Sequence, residues 1–168
     1  MVFDCMIYVQ ALARPNGPAA ACLDKATAGE CELLVSVEVL AEVHEVLGRP
    51  KLRRTFIRAS DDDVEAFMRR LDALATNIDP VPEAFTLLRD PKDSMYLNLA
   101  IAGDAKLVVS RDNDLLDLMS EDSAEGNAFR TGYPEIAILD PVAFLRTFPA
   151  DPPATEPKPT APPPDEAS

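Results

Sequence analysis

The stretch at residues 89–118, RDPKDSMYLNLAIAGDAKLVVSRDNDLLDL, decides which fold this chain adopts. It opens with an acidic turn that holds Asp93, continues as an apolar run typical of a buried helix, and stops at Gly103. The apolar run Leu107–Val109 is typical of a buried strand, and Asp112 follows shortly after it. A helix that returns beside its strand indicates an α/β sheet, with an acidic residue at each end of this helix–strand unit.

A further acidic residue follows another candidate strand, at the start of the chain. Val2 and Phe3 are apolar, and Asp4 comes next. In open α/β sheets, sites form beyond the carboxyl ends of the strands, so we expect Asp4 and Asp112 to converge there. Carboxylates held this close need a counter-ion, and their oxygens are the ligands that Mg²⁺ and Mn²⁺ prefer. The sequence therefore predicts a divalent metal site at this edge.

Strands and helices alternate along the chain, which predicts a central parallel sheet of about five strands with helices on both faces. The predicted strands are Val2–Phe3, residues 31–35, residues 77–81, Leu107–Val109 and residues 136–139. A helical turn is expected at residues 83–88, and residues 119–134 give no assignment. Residues 1–148 are expected to form one domain. Residues 149–168 hold eight of the sixteen prolines and almost no bulky apolar side chains, so we expect a disordered acidic tail.

A helix that Ser36 can cap carries another acid of interest. Its apolar face is predicted to contain Val39, Leu40, Val43, Val46 and Leu47. Glu42 falls at the edge of that face, whereas Glu38 and Glu45 lie further toward solvent. Taken alone, Glu42 also fits an ordinary solvated helix face. Of the three, it is the acid best placed to reach a cleft at the sheet edge.

Three consecutive aspartates at residues 61–63 look like a metal cluster but have a simpler explanation. Ser60 precedes them and can cap a helix, with Asp63 three residues on completing a capping box. Acidic residues are also favoured in the first turn of a helix. We therefore assign these aspartates to structure.

The charge balance limits the ways in which this protein can bind nucleic acid. The net charge is −13, from 29 acidic and 16 basic residues, which argues against broad electrostatic binding. The concentrated basic segment is RPKLRRTFIR at residues 49–58. Two interpretations stay open: the segment contacts phosphates, or it is a solvated connector that balances neighbouring acids.

The cysteine and histidine content excludes several other kinds of site. Cys5, Cys22 and Cys31 form no CxxC pair, so they are read as reduced thiols of a cytosolic protein. His44 is the single histidine, which argues against a Cys–His nucleophile. No apolar run is long enough to span a membrane, and the N-terminus lacks a signal-peptide pattern. We therefore expect a cytoplasmic protein with no membrane contact.

With these acids placed, the chain resembles the PIN-domain ribonucleases, in particular the toxins of bacterial toxin–antitoxin pairs. The resemblance covers residues 2–148. It rests on five segments in the expected order: VFD, LLVSVEVLAEVHEVLGRPKLR, RDPKDSMYLNLAIAGDA, LVVSRDNDLL and ILDPVAFL. The resemblance implies a three-layer α/β/α domain and a Mg²⁺- or Mn²⁺-dependent endoribonuclease that hydrolyses RNA phosphodiester bonds. Its expected partners are RNA, a cognate antitoxin and a second copy of the chain.

The resemblance also assigns roles to individual residues. The catalytic and metal-binding acids it implies are Asp4, Glu42, Asp93 and Asp112, with Asp114 as a fifth metal ligand. Ser110 stands where the family often has a small hydroxyl residue. The predicted substrate contacts are Ser110 and the basic residues Arg49, Lys51, Arg53 and Arg54.

One departure from the family pattern leaves an alternative function open. The family usually has Thr-Asn after the first aspartate, where this chain has Cys5 and Met6. The asparagine helps hydrogen bonding at the metal site and methionine cannot, which makes a silent scaffold that binds a protein partner the main alternative. A phosphatase of the haloacid dehalogenase type is a weaker alternative, because that chemistry needs an acid at the position of Met6.

Overall fold

Five short parallel strands form the central sheet of the computed structural model, which describes residues 1–120 and 122–147. The strands are β1 (Val2–Phe3), β2 (Leu34–Val35), β3 (Thr76–Asn77), β4 (Leu107–Val109) and β5 (Ala137–Leu139). Their order in the sheet is β3-β2-β1-β4-β5, and every pairing is parallel. The predicted parallel sheet of about five strands is confirmed. The predicted tail at residues 149–168 lies outside the described residues.

The helices flank this sheet and complete a three-layer α/β/α domain. Those of the described residues are α1 (Cys5–Ala13), α2 (Pro18–Thr27), α3 (Val37–Gly48), α4 (Pro50–Leu52), α5 (Asp61–Leu74), α6 (Ser94–Ala102), α7 (Asn113–Leu116), α8 (Ala124–Gly132) and α9 (Pro141–Arg146). Shorter helical turns lie at Arg53–Ile57, Pro91–Asp93 and Asp117–Met119. Across residues 1–120 and 122–147, no helix has the length and apolar character needed to cross a membrane.

The strand register brings the ends of β1 and β4 side by side. Phe3 pairs with Val109, and the amide of Asp4 donates to the carbonyl of Val109 at 3.1 Å. The amide of Ser110 donates to the carbonyl of Leu139 at 3.0 Å. Residues that follow β1 and β4 therefore leave the sheet from the same carboxyl edge.

Helix α6 is the central helix of the domain because it is buried on nearly all sides. Tyr96, Leu97, Leu99 and Ala100 are each at most 2% exposed. Gly103 ends the helix where it passes β2, and a Cβ at that position would overlap the side chain of Leu34. The predicted buried helix and its glycine stop are confirmed.

The capping box predicted for the aspartates at residues 61–63 is also present. The amide of Asp63 donates to the Ser60 hydroxyl at 3.1 Å, and the Ser60 amide donates to the Asp63 carboxylate at 2.8 Å. The triple aspartate therefore begins α5.

The helical turn predicted at residues 83–88 is wrong. The amides of Ala84 and Phe85 donate to the Asn98 side chain at 2.9 and 2.8 Å, and the Leu87 amide donates to Ser94 at 2.8 Å. Side chains of α6 therefore satisfy this segment, which needs no helical hydrogen bonds of its own.

Candidate active site

The acid that follows β1 is held at the carboxyl edge of the sheet by hydrogen bonds from three directions. Asp4 caps α1, with one carboxylate oxygen accepting from the amide of Ile7 at 3.0 Å. The other oxygen accepts from the hydroxyl of Ser110 and from the amide of Arg111 at 3.3 Å. Burial raises the pKa of Asp4, and these hydrogen bonds oppose the rise. Asp4 is only 4% exposed, so the surrounding fold fixes the orientation of its carboxylate.

Ser110 connects the two acids that the sequence places at strand ends. Its hydroxyl donates to Asp4 and accepts from the amide of Asp112 at 2.9 Å. Asp112 in turn caps α7 by accepting from the amide of Asp114 at 2.7 Å. Ser110 was predicted to contact substrate, and the structure places it differently. Its side chain is completely buried, so it positions the two acids and lies out of reach of a substrate.

Glu42 reaches the same region from α3 and is held by a tyrosine of α6. Glu42 is half-buried, whereas Glu38 and Glu45 are exposed, as the position at the edge of the apolar face predicted. The hydroxyl of Tyr96 donates to a Glu42 carboxylate oxygen and accepts from the amide of Cys5 at 3.0 Å. Burial and the hydrogen bond to Glu42 raise the pKa of Tyr96. The tyrosine therefore stays protonated and remains a donor to Glu42.

Asp93 lies at the start of α6, where the charges of other acids affect its pKa. Burial is the first cause that raises its pKa to about 7, followed by the charges of Asp90, Asp112, Asp4 and Glu42. Helix α6 receives no side-chain cap from Asp93. Among the described residues, this carboxylate is therefore not used as a helix cap.

Three of the predicted acids act electrostatically on the fourth, because the charges of Asp4, Glu42 and Asp112 all contribute to the raised pKa of Asp93. Asp4, Glu42, Asp93 and Asp112 come from β1, α3, the turn before α6 and the end of β4. Within residues 1–120 and 122–147, none of the four lies in an ion pair with a basic side chain. Carboxylates without a basic partner, among them Asp4 and Asp93 with their raised pKa values, have the donor chemistry that a hard divalent cation needs.

The carboxylates do not by themselves form a closed metal site. Among the described residues, no three acidic, histidine or cysteine side chains are arranged closely enough to hold an ion. Mg²⁺ commonly keeps several waters and takes only one or two carboxylates directly. The chemistry of the four acids fits a cation of this kind, which Asp4, Glu42, Asp93 and Asp112 would hold with the help of water.

Asp114, the predicted fifth metal ligand, has a different local partner. Its carboxylate lies 3.6 Å from the guanidinium of Arg89, which also donates to Asp117 at 2.8 Å. The Asp114 side chain is therefore partly neutralised, unlike those of the four acids above.

The basic segment does not act as one uniform surface. The guanidinium of Arg53 donates to Asp61 at 2.5 Å and to the carbonyl of Ala59 at 2.7 Å, so this arginine serves the local fold. Arg49 pairs with Glu45 at 3.0 Å on the exposed surface, yet its charge also acts on the thiol of Cys5. Lys51 and Arg54 are exposed. As substrate contacts, Arg49, Lys51 and Arg54 stay predictions, whereas Arg53 is held away from that role.

The sequence analysis did not identify two residues that contribute to this site. In the sequence, Tyr96 looks like one more core residue of a buried helix. Its hydrogen bond to Glu42 is visible only in the structure. Asp90 is the largest charge acting on Asp93 and also caps the turn Pro91–Asp93. The sequence feature that could have identified Asp90 is its position in the same acidic turn as Asp93.

Comparison with known proteins adds a family match to this geometry. The profile of the PIN domain, a nuclease-type fold, matches residues 1–114 of the 168. The chain is also 25% identical over 121 residues to an uncharacterized protein of the archaeon Methanocaldococcus jannaschii, which covers 72% of this chain and 76% of that protein. The profile match contains all four clustered acids and ends within α7.

Proposed function

The chain belongs to the PIN-domain family, and from this premise we propose that it is a Mg²⁺- or Mn²⁺-dependent endoribonuclease that hydrolyses RNA phosphodiester bonds. The observation that supports the proposal is the raised pKa of Asp93, about 7, to which burial contributes most, followed by the charges of Asp90, Asp112, Asp4 and Glu42. Acidic side chains without basic partners at this edge of the sheet favour the binding of a cation. A cation there also offsets the field that would otherwise repel a phosphate.

The chain's own residues divide the work of the site. Asp4, Glu42, Asp93 and Asp112 would hold the ion, directly or through water. A bound divalent ion lowers the pKa of a water molecule and offsets charge on the phosphate oxygens. Glu42 has one carboxylate oxygen held by Tyr96, which leaves the other free to orient the attacking water. Asp93 would give up its proton when positive charge arrives, because a cation lowers a pKa that burial and the neighbouring acids raise.

Ser110 and Tyr96 preorganise these acids. Each hydroxyl ties a carboxylate to a backbone amide: Ser110 ties Asp4 to the amide of Asp112, and Tyr96 ties Glu42 to that of Cys5. Partners of this kind fix the direction of metal ligands and strongly affect metal affinity.

A cleavage assay tests the proposal. Purified protein is incubated with labelled single-stranded RNA in millimolar Mn²⁺, and in parallel with a chelator, with single-stranded DNA, and with the Asp112→Asn variant prepared identically. We expect cleavage of RNA by the wild type that chelation abolishes and that Asp112→Asn reduces by orders of magnitude, because the acids act as a unit. The exposed Asp72→Asn, which removes the same charge outside the cluster, should cleave like the wild type.

A variant at Met6 provides the result that would contradict the proposed enzymatic activity. Met6 is 40% exposed and follows Asp4 by two residues, at a position where the family usually has asparagine. If neither the wild type nor Met6→Asn cleaves RNA in Mn²⁺, the protein is a partner-binding scaffold and the proposed activity is wrong.

The biological role that we propose is the toxin of a toxin–antitoxin pair, on the strength of the resemblance in the sequence. Induced expression of the wild type in bacteria should then arrest growth, and Asp112→Asn should not. Coexpression of a cognate antitoxin, a small DNA-binding protein encoded next to this chain, should restore growth. Growth arrest by both proteins, or by neither, contradicts the toxin role.

A further inference from the structure

A cavity of about 270 Å³ lies at the end of α1 opposite to Asp4. Its polar and aromatic lining comes from Gln10, Arg14, Phe56 and Arg111, and Gly17 completes one side. Among the described residues, no aspartate or glutamate lines this cavity. A pocket with two arginines and no acid is unusual in a protein whose net charge is −13, so its composition calls for a ligand of negative charge.

Both arginines of the cavity keep their hydrogen-bonding capacity. In the described part of the chain, neither Arg14 nor Arg111 forms an ion pair with a carboxylate, whereas Arg49, Arg53 and Arg89 each do. The guanidinium of Arg14 lies over the ring of Phe56, 5.4 Å from its centroid. Stacking uses the flat face of a guanidinium and leaves its N–H groups free to bind an anion in the same plane.

The beginning of α2 adds a weaker contribution of the same sign. Gly17 caps this ten-residue helix and has no side chain to accept from its first amides. The first turn of a helix leaves amide N–H groups without intrahelical acceptors and carries a partial positive charge. This helix start and the two arginines therefore act together on an anion in the cavity.

Arg111 connects the cavity to the acid cluster. Its backbone amide donates to Asp4 at 3.3 Å, while its side chain lines the cavity. Helix α1 has nine residues between Asp4 and Arg14, which at 1.5 Å per residue is about 14 Å. An anion in the cavity thus lies about one short helix length from Asp4.

We propose that this cavity binds a backbone phosphate of the RNA strand, at a nucleotide that flanks the cleaved bond. The proposal rests on the proposed function for the identity of the strand. The two guanidiniums bind the phosphate oxygens through charged hydrogen bonds, and the acid cluster acts on a neighbouring linkage of the same strand. The basic segment contributes to this site through Phe56, which orients Arg14.

The test measures RNA binding by fluorescence anisotropy in Mn²⁺, in an Asp93→Asn background so that the strand stays intact. Arg14→Gln combined with Arg111→Gln is compared with Arg69→Gln combined with Arg146→Gln. The control pair removes the same charge from exposed residues outside the cavity. We expect the cavity pair to weaken binding about tenfold or more. Its slope of log K against log salt should become shallower by about 0.7 for one lost phosphate contact, while the control pair stays close to the parent.

Two results would overturn the proposal while the proposed function stands. The first is equal loss of affinity in the two pairs, and the second is no loss in the cavity pair although the wild type cleaves RNA.

If the parent binds no RNA, titration with inorganic phosphate decides the case through the NMR shifts of the Gln10, Ala19 and Arg111 amides. Shifts at these amides would identify a free-phosphate site and contradict the RNA contact. Unchanged amides would contradict an anion site altogether.

Discussion

Replacing Asp93 by asparagine should stabilise the folded protein at neutral pH although it damages the site. The pKa of Asp93 is about 7 in the folded protein against 3.8 ordinarily. Between these values the folded state keeps a proton that the unfolded chain has lost, so its stability falls as pH rises from about 4 to about 7. The full shift corresponds to about 4 kcal/mol at about 1.4 kcal/mol per pH unit. Asp93 is partly solvated, and screening reduces this figure to about 1–2 kcal/mol.

The substitution removes the charge with little other effect on the fold, because asparagine has nearly the same shape as aspartate and the Asp93 side chain does not cap α6. We expect the Tm of Asp93→Asn to exceed that of the wild type at pH 8 by roughly 3–6 °C without metal. The difference should shrink toward zero as the pH falls to about 4 and below, where the aspartate of the unfolded chain also takes up its proton. Millimolar Mn²⁺ should narrow it at pH 8 by stabilising the wild type more.

Thermal unfolding followed by circular dichroism from pH 4 to pH 8 gives this measurement. Asp72→Asn is the matched control, because Asp72 is exposed on α5 and forms no ion pair with a described residue. Its difference from the wild type should not follow the pattern of Asp93→Asn. A lower Tm for Asp93→Asn at pH 8, or a difference independent of pH, would refute the claim that burial and the neighbouring acids raise the pKa of Asp93.

The remaining predictions concern the groups around the acids. Tyr96→Phe releases Glu42 and should lower Mn²⁺ affinity or activity about 10–100-fold, measured by metal titration of cleavage; a change below about twofold contradicts its positioning role. Ser110→Ala removes a buried donor to Asp4 and should lower the free energy of unfolding by about 1–3 kcal/mol, measured by urea denaturation; an unchanged urea midpoint contradicts the linkage. Met6→Asn should tighten Mn²⁺ binding in calorimetry, and an unaltered affinity would show that Met6 does not weaken the site.

Much of the fold is predictable because its signals are local. The apolar run of α6, the stop at Gly103 and the run that becomes β4 are contiguous in sequence, and the parallel sheet follows from their alternation. The segment at residues 83–88 misled the prediction, because its amides are satisfied by Asn98 and Ser94. Helix α8 gave no signal because its polar surface outweighs the buried Phe129, which packs against Phe85 at 5.0 Å between centroids.

The site was predictable as a set of acids and not as a network. Acids after strands and at a helix edge can be read from the sequence, and Glu42 is half-buried as expected. The hydroxyls of Tyr96 and Ser110 act across 54 and 106 residues of sequence. No local pattern reports such long-range contacts, so a tyrosine in an apolar helix reads as core. The pairing of Arg53 with Asp61 spans only eight residues, and it removes one arginine from the predicted substrate surface.

Calorimetric titration of the wild type with Mn²⁺ near pH 7, in two buffers of different ionisation enthalpy, tests the central claim most directly. The claim is that the clustered acids hold a divalent cation. Asp93 is about half protonated there, since its pKa is about 7, so ion binding should release protons. We expect a heat that depends on the buffer, corresponding to about half a proton per ion for a single group at its pKa. Asp93→Asn should show weaker binding without proton release. No binding at millimolar Mn²⁺, or binding with the same heat in both buffers, would contradict the account.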